Sequence, residues 1–177
     1  MSFAWVIPVI VIQRLFELRL SERHRSALLA RGGREYHAET FPAMAALHVL
    51  FLASLAVESY PWRFPLDAVT WGCLAALAVV TAGRYWVIAS LGEYWNVRIV
   101  VVPGAPVRRT GPYRLMRHPN YLVIVLEFLL LPLLMRASVT LVIFSTANLF
   151  VLGERIRLEE KVLRELTDYG ERFPKTR

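Results

Sequence analysis

Four apolar blocks constrain this chain more than any other feature, because each is longer than the buried part of an ordinary soluble helix. They cover residues 3–20, 43–59, 68–91 and 121–153. A helix needs about 20 residues to cross the ~30 Å hydrocarbon core of a bilayer. The sequence therefore predicts an integral membrane protein.

The last block is too long for one span and is interrupted near its middle. Pro132 is followed closely by the charged residue Arg136, and proline removes a helical hydrogen bond. We therefore expect two helices, at residues 121–134 and 138–153, that form a tight hairpin. Together with the three preceding blocks, they predict an all-α polytopic membrane protein with about five transmembrane helices.

The arginines predict the orientation, because Lys and Arg concentrate in cytoplasmic connections. The connections after the first and third blocks are rich in arginine, whereas the two alternate connections contain only Arg63 and Arg136. We expect the N-terminus outside and the C-terminus in the cytoplasm, in a bacterial inner membrane. This distribution also explains the formal charge of +7. The predicted partners are therefore membrane lipids and not nucleic acid.

The connections are too short for a separate soluble domain, so residues 1–177 are predicted to form a single membrane domain. The charged segment 154–163 continues from the last block and is predicted to be a C-terminal cytoplasmic amphipathic helix. The lone Cys73 lies inside the third block. It excludes an internal disulfide, and no metal site is expected.

Several polar residues interrupt the apolar blocks. Arg14 and Glu17 are three residues apart on one helix face and are expected to pair. Arg84 is expected either to extend toward the headgroups or to line a polar cavity. We interpret His48 as a buried histidine bonded to a neighbouring helix. Farther along, the β-branched stretch 97–102 is the only segment that looks like a strand.

The connection between the third and fourth blocks places reactive side chains in a constrained loop. Pro112 and Pro119 restrict the backbone around Tyr113, His118 and Tyr121. Near the C-terminus, Arg155 and Glu159 lie four residues apart on one helix face. The sequence lacks a phosphate-binding glycine loop and metal-ligand spacing. Group transfer from a diffusible small molecule is therefore the chemistry that remains.

A purely structural interpretation is also open from the residues alone. In that interpretation the arginines set the topology, the Glu159-Glu160 pair lies on a solvated helix face, and His118-Pro119 starts a helix. A structural role would require no ligand.

The two polar segments together resemble a known family. They read Gly-Pro-Tyr-(x)3-Arg-His-Pro-x-Tyr at residues 111–121 and Arg-(x)3-Glu-Glu-(x)2-Leu at residues 155–163. This combination is similar to the isoprenylcysteine carboxyl methyltransferase family of integral-membrane enzymes that use S-adenosylmethionine. The resemblance covers residues 90–173. Related phospholipid methyltransferases and sterol reductases carry segments similar to the first motif alone.

The resemblance implies a cofactor-binding half at residues 92–177, which contains the hairpin at residues 121–153. In it, Arg155 would position the acceptor. A carboxylate can receive the ammonium group of the cofactor, and an arginine can hold an anionic acceptor. The residues implied in S-adenosylmethionine binding are Val107, Arg108, Tyr113, His118, Pro119, Asn120, Tyr121 and Glu159.

The acceptor is less well defined because residues 105–110 depart from the family pattern. They read Ala-Pro-Val-Arg-Arg-Thr, where the carboxyl methyltransferases typically have His-x-Leu-Val-Thr. The chain looks more like a bacterial branch associated with type III polyketide synthases. The implied lipophilic acceptor is thus a prenylated, isoprenylcysteine-like carboxylate or a hydroxyl of an alkylpyrone or alkylresorcinol. A phospholipid methyltransferase and a non-catalytic membrane scaffold or carrier are the alternatives.

Overall fold

The computed structural model describes residues 2–174, and most of them are helical, as the apolar blocks predict. The ends of the predicted single domain, residue 1 and residues 175–177, lie outside this range. In chain order the elements are α1 (Val6–Ala30), β1 (Arg34–Tyr36), α2 (Thr40–Glu58), α3 (Ala68–Leu91), β2 (Ile99–Val101), α4 (Pro119–Leu134), α5 (Ser138–Leu166) and α6 (Tyr169–Arg172).

Three helices in the described part of the chain are long and apolar enough to cross a membrane. They are α2, α3 with the turn that follows it, and α5. Helix α4 is apolar but has only 16 residues, and α1 carries charged residues in its middle. The long apolar helices support an integral membrane protein, whereas the count of five spans stays a prediction.

The predicted hairpin is formed by α4 and α5. Pro132 lies inside α4 and does not end it. The turn follows at Arg136, which has a φ of 55°, and α5 begins at Ser138. Helix α5 then continues without a break to Leu166. The charged segment 154–163 is therefore the end of α5, and its cytoplasmic location stays a prediction.

A small two-stranded sheet accompanies the helices of this mostly helical fold. Strands β1 and β2 pair in antiparallel register, with Arg34 opposite Val101 and Tyr36 opposite Ile99. The sequence pattern predicted the second strand, at residues 97–102, but not the first. The sheet joins the end of α1 to the connection between α3 and α4.

The apolar core has a large cluster among the helices and two smaller clusters near the connection between β2 and α4, residues 102–118, which we call the motif loop. Phe51 of α2 stacks on Phe128 of α4 with ring centroids 4.1 Å apart, inside the large cluster. Near the motif loop, Trp95 and Tyr113 pack with the end of α3. Val162 of α5 packs on β2. These contacts hold the two motif segments against the helices.

Two arginines and two glutamates form a buried cluster between α1, α3 and α4, which we call the four-charge cluster. Arg84 Nη1 lies 2.9 Å from Glu17 Oε2, and Arg84 Nη2 lies 2.5 Å from Glu127 Oε2. Arg14 contacts both carboxylates at 2.6 Å. The predicted Arg14–Glu17 pair is confirmed. The expectation that Arg84 extends to the headgroups is wrong, because its side chain is buried and neutralised in place.

His48 is largely buried, as expected, but its hydrogen bond stays within its own helix. Its Nδ1 lies 2.9 Å from the Met44 carbonyl of α2. The predicted bond to a neighbouring helix is therefore wrong. The contact between helices is instead an edge-on packing of the His48 ring against Phe128, with centroids 5.0 Å apart.

Candidate active site

A pocket lies where β2, the motif loop, the start of α4, the last turns of α5 and α6 meet. It contains about 1040 Å³ of empty space, part of it open to solvent. Pro119, the buried first residue of α4, does not line it. The other sequence-predicted site residues all line the pocket: Val107, Arg108, Tyr113, His118, Asn120, Tyr121, Arg155 and Glu159.

The Tyr121 hydroxyl joins the two motif segments. It donates a hydrogen bond to Glu159 Oε2 and accepts one of 3.2 Å from Arg155 Nε. Arg155 Nη2 also donates to the Val97 carbonyl at 2.5 Å. Among the described residues, Glu159 Oε1 and Arg155 Nη1 have no hydrogen-bond partner. One carboxylate oxygen and one guanidinium nitrogen are thus available to a ligand.

The second glutamate of the pair, Glu160, binds His118 instead of facing the pocket. Its Oε1 lies 3.1 Å from His118 Nε2 and accepts a 2.9 Å hydrogen bond from the Tyr169 hydroxyl. Arg164 Nη2 lies 3.4 Å from the other oxygen. The sequence predicted no separate role for Glu160, because nothing in a pair of adjacent glutamates on a helix indicates which one faces inward.

Trp95 and Tyr113 pack together in the pocket lining and form what we call its aromatic wall, and two polar atoms of the lining have no hydrogen-bond partner in the described part of the chain. Trp95 and Asn120 both line the pocket. Trp95 Nε1 and Asn120 Oδ1 are buried without a hydrogen bond in the described part of the chain, which is costly unless a ligand or water supplies one. Burial, together with the nearby Glu159 carboxylate, raises the pKa of Tyr113. Its hydroxyl therefore stays protonated at neutral pH.

The loop before the first motif is fastened to the C-terminal segment. Asp168 Oδ1 accepts a 2.6 Å hydrogen bond from the Val107 amide. That bond and the bond from Arg172 lower the pKa of Asp168, so it remains a carboxylate. The guanidinium of Arg109 lies 5.3 Å from the centre of the Phe173 ring, and Phe173 lines the pocket. These contacts hold α6 over the site.

Sequence reasoning missed the pocket wall formed by the segment just before and within β2. Asn96 is fixed by a 2.9 Å hydrogen bond from Ser21 of α1, and Arg98 by a 2.7 Å contact with Glu35 of β1. The partners are 75 and 63 residues away in the chain, so no local pattern could reveal them. The additional lining residues of this segment are Tyr94, Trp95, Asn96, Arg98, Ile99, Val100, Val101 and Val102.

Comparison with known proteins identifies the family. The family model described as "Isoprenylcysteine carboxyl methyltransferase (ICMT) family" matches residues 73–165, which include both motifs. A protein of Bacillus subtilis (strain 168), named "Uncharacterized protein YpbQ", is 37% identical over 163 residues, 92% of this chain and 97% of that protein. An "Uncharacterized protein" of Haemophilus influenzae is 28% identical over 176 residues, 99% of this chain and 96% of its own length.

No solved structure shows significant similarity to the chain. The family model and the Bacillus protein are therefore the comparisons that decide its relationship. Because the model covers both motifs and the Bacillus protein aligns over nearly its whole length, the chain belongs to the isoprenylcysteine carboxyl methyltransferase family, which implies a membrane methyltransferase.

Proposed function

We propose that the chain is an S-adenosylmethionine-dependent O-methyltransferase that acts on a lipophilic acceptor at the membrane surface. The main observation behind this proposal is that hydrogen bonds connect the two motifs inside one pocket. Tyr121 of the first motif contacts both Glu159 and Arg155 of the second. A site with a free carboxylate oxygen and a free guanidinium nitrogen suits a cationic donor beside an anionic or polar acceptor.

The pocket residues fit S-adenosylmethionine. Glu159 Oε1 can accept the ammonium group, and the aromatic wall around Trp95 and Tyr113 can pack against the adenine. The orphaned Asn120 Oδ1 can accept a hydrogen bond from the ligand. When bound, the cofactor supplies a methyl group activated by a positively charged sulfur.

The protein's own contribution is alignment and exclusion of water. Arg155 is buried and already held by Tyr121 and the Val97 carbonyl, so it presents its remaining donors to the acceptor oxygen with little loss of conformational entropy. Holding two reactants in line provides a large part of the acceleration of a displacement reaction. Tyr113 stays neutral and acts as a packing group, not as a base.

Exposed apolar side chains beside the pocket support a lipophilic acceptor. Leu115 and Met116 of the motif loop are 81% and 40% exposed, and Leu122 at the start of α4 is 43% exposed. Such a patch is stable where it contacts lipid. It offers a path to the pocket for an isoprenylcysteine-like carboxylate or an alkylpyrone or alkylresorcinol hydroxyl.

Calorimetry with S-adenosylhomocysteine tests the cofactor site. Glu159→Ala should weaken binding by about 10- to 100-fold, because a charge-assisted hydrogen bond contributes ~1.5–3 kcal/mol. Glu154→Ala is the matched control, since Glu154 lies on the same helix and is paired only with Arg157 at the surface. No binding by the wild type, or equal losses in the two variants, would refute the assignment.

A second experiment tests which class of acceptor is methylated. Membranes that contain the protein are incubated with methyl-labelled cofactor and a panel of acceptors. The panel includes an alkylpyrone, an alkylresorcinol, a prenylcysteine and a phospholipid. We expect labelled product with a member of the first three classes and a loss of turnover in Arg155→Ala. Binding of S-adenosylhomocysteine without product from any acceptor would favour the scaffold or carrier.

A further inference from the structure

His118 lines the pocket and has one ring nitrogen without a hydrogen-bond partner among the described residues. Its Nε2 lies 3.1 Å from Glu160 Oε1. Because an ionised carboxylate only accepts hydrogen bonds, Nε2 carries the proton and Nδ1 keeps a lone pair in the neutral ring. Nδ1 makes no hydrogen bond among the described residues, while His118 itself lines the pocket.

The charges behind the His118 ring come from the motif loop and α5, with a hydroxyl from α6. Arg164 lies 3.4 Å and Arg117 3.7 Å from the carboxylate oxygens of Glu160, so both favour the ionised form of Glu160. The Tyr169 hydroxyl lies 3.5 Å from His118 Nε2. Burial and Glu160 raise the pKa of Tyr169, so it remains a hydrogen-bond donor.

The ionisable groups next to the His118 ring on the Tyr121 side form hydrogen bonds with each other and not with His118. The Tyr121 ring centroid lies 5.5 Å from that of His118, and its hydroxyl donates to Glu159. Glu160 therefore orients the ring, while Nδ1 stays available.

We propose that His118 is the general base for methyl transfer to a hydroxyl acceptor, and that Glu160 is a positioning residue that holds its ring. This inference rests on the proposed function and deepens it by naming the acceptor class. A carboxylate acceptor is already ionised at neutral pH and needs no base. An oriented imidazole is useful for a phenolic or enolic hydroxyl that enters the pocket protonated.

In this step one proton moves to His118 and one methyl group moves to the acceptor oxygen. The acceptor hydroxyl gives its proton to His118 Nδ1, and its oxygen forms the new bond to the methyl carbon. The carbon–sulfur bond breaks, and its electron pair remains on sulfur, which loses its positive charge. The Glu160 carboxylate stabilises the imidazolium until it returns the proton to solvent.

Nuclear magnetic resonance of ¹⁵N-histidine tests the positioning role without any turnover. The chain has four histidines, so His118→Gln identifies the His118 signal. When the ring is neutral, the ¹⁵N shifts of the wild type should show the proton on Nε2. Glu160→Gln should raise the fraction of rings with the proton on Nδ1, because a glutamine amide can also donate to Nε2. Glu165→Gln, at an exposed position of the same helix, should leave this fraction unchanged. An unchanged fraction in Glu160→Gln, or equal changes in both variants, overturns the role of Glu160.

Turnover with matched acceptors tests the base. At saturating S-adenosylmethionine, where weaker cofactor binding no longer limits the rate, His118→Gln should lower kcat for alkylresorcinol methylation by about 100-fold or more. Glu160→Gln should lower it by less, because the ring is still present but no longer oriented. Unchanged hydroxyl methylation in His118→Gln, or wild-type turnover of carboxylates alone, overturns the base role. Failure of the wild type to bind S-adenosylhomocysteine refutes the proposed function itself.

Discussion

Arg84 pairs with two carboxylates, Glu17 and Glu127, inside the helix bundle. The removal of one of these partners should therefore lower the stability of the fold. The four-charge cluster balances two arginines against two glutamates, and Arg84 and Glu127 share two hydrogen bonds. Removing one member of such a group leaves a buried charge without compensation, which costs more than the group contributes as a whole.

Glu127→Gln should therefore destabilise the protein by about 3–5 kcal/mol, seen as a lower midpoint of thermal unfolding in detergent. Glu93→Gln is the control, because Glu93 pairs with Arg31 at the surface, where ion pairs contribute little. Similar midpoints for both variants would mean that the cluster is solvated, which contradicts its burial between the helices.

Local spacing predicted part of this cluster and could not predict the rest. Arg14 and Glu17 are three residues apart, so one helix face brings them together. Arg84 and Glu127 are 43 residues apart, and their pairing depends on which faces of α3 and α4 meet. The site shows the same division: Arg155 and Glu159 follow from helix spacing, whereas the contact between Glu160 and His118 depends on how the motif loop packs on α5.

At the scale of the elements, the turn at Gly111–Arg114 is fixed by a close approach to α3. Gly111 has a φ of 52°. A Cβ added there would overlap Ser90 Oγ and lie 3.0 Å from Trp86 Nε1. The turn carries Tyr113 into the pocket wall, so a shift of the turn reaches the proposed cofactor site.

Gly111→Ala should weaken S-adenosylhomocysteine binding, and Ser90→Ala in the same chain should restore part of it. Gly92→Ala is a matched control, since Gly92 has a φ of 56° but no atom within 4 Å of an added Cβ. The control should show only the backbone strain of about 1–3 kcal/mol in stability. Equal binding by Gly111→Ala and Gly92→Ala would exclude a positioning role for this contact.

Long elements could be predicted from the sequence, and the shortest could not. The hairpin ends at Leu134 and Ser138 were predicted because a polar, proline-adjacent break stands out within an apolar block. Strand β1 has only three residues, too few for a period of two to be recognised. Its pairing with β2 joins segments that are far apart in the chain, and this pairing helps to fix the pocket wall around Arg98.

At the scale of the whole molecule, the orientation of the pocket can be tested by thiol labelling. The native Cys73 is 6% exposed and should not react. Leu66→Cys, in the connection between α2 and α3, and Leu115→Cys, in the motif loop, replace side chains that are 47% and 81% exposed. A membrane-impermeant maleimide added to spheroplasts should label Leu66→Cys at once. It should label Leu115→Cys only after the membrane is permeabilised.

The physical reason for this expectation is the unequal distribution of arginine between the two sets of connections. The motif loop contains Arg108, Arg109, Arg114 and Arg117, whereas the connection that contains Leu66 has only Arg63. Labelling of Leu115→Cys in sealed spheroplasts would place the pocket outside the cell. The site would then be separated from cytosolic S-adenosylmethionine, so this result would contradict the predicted orientation and the proposed use of that cofactor together.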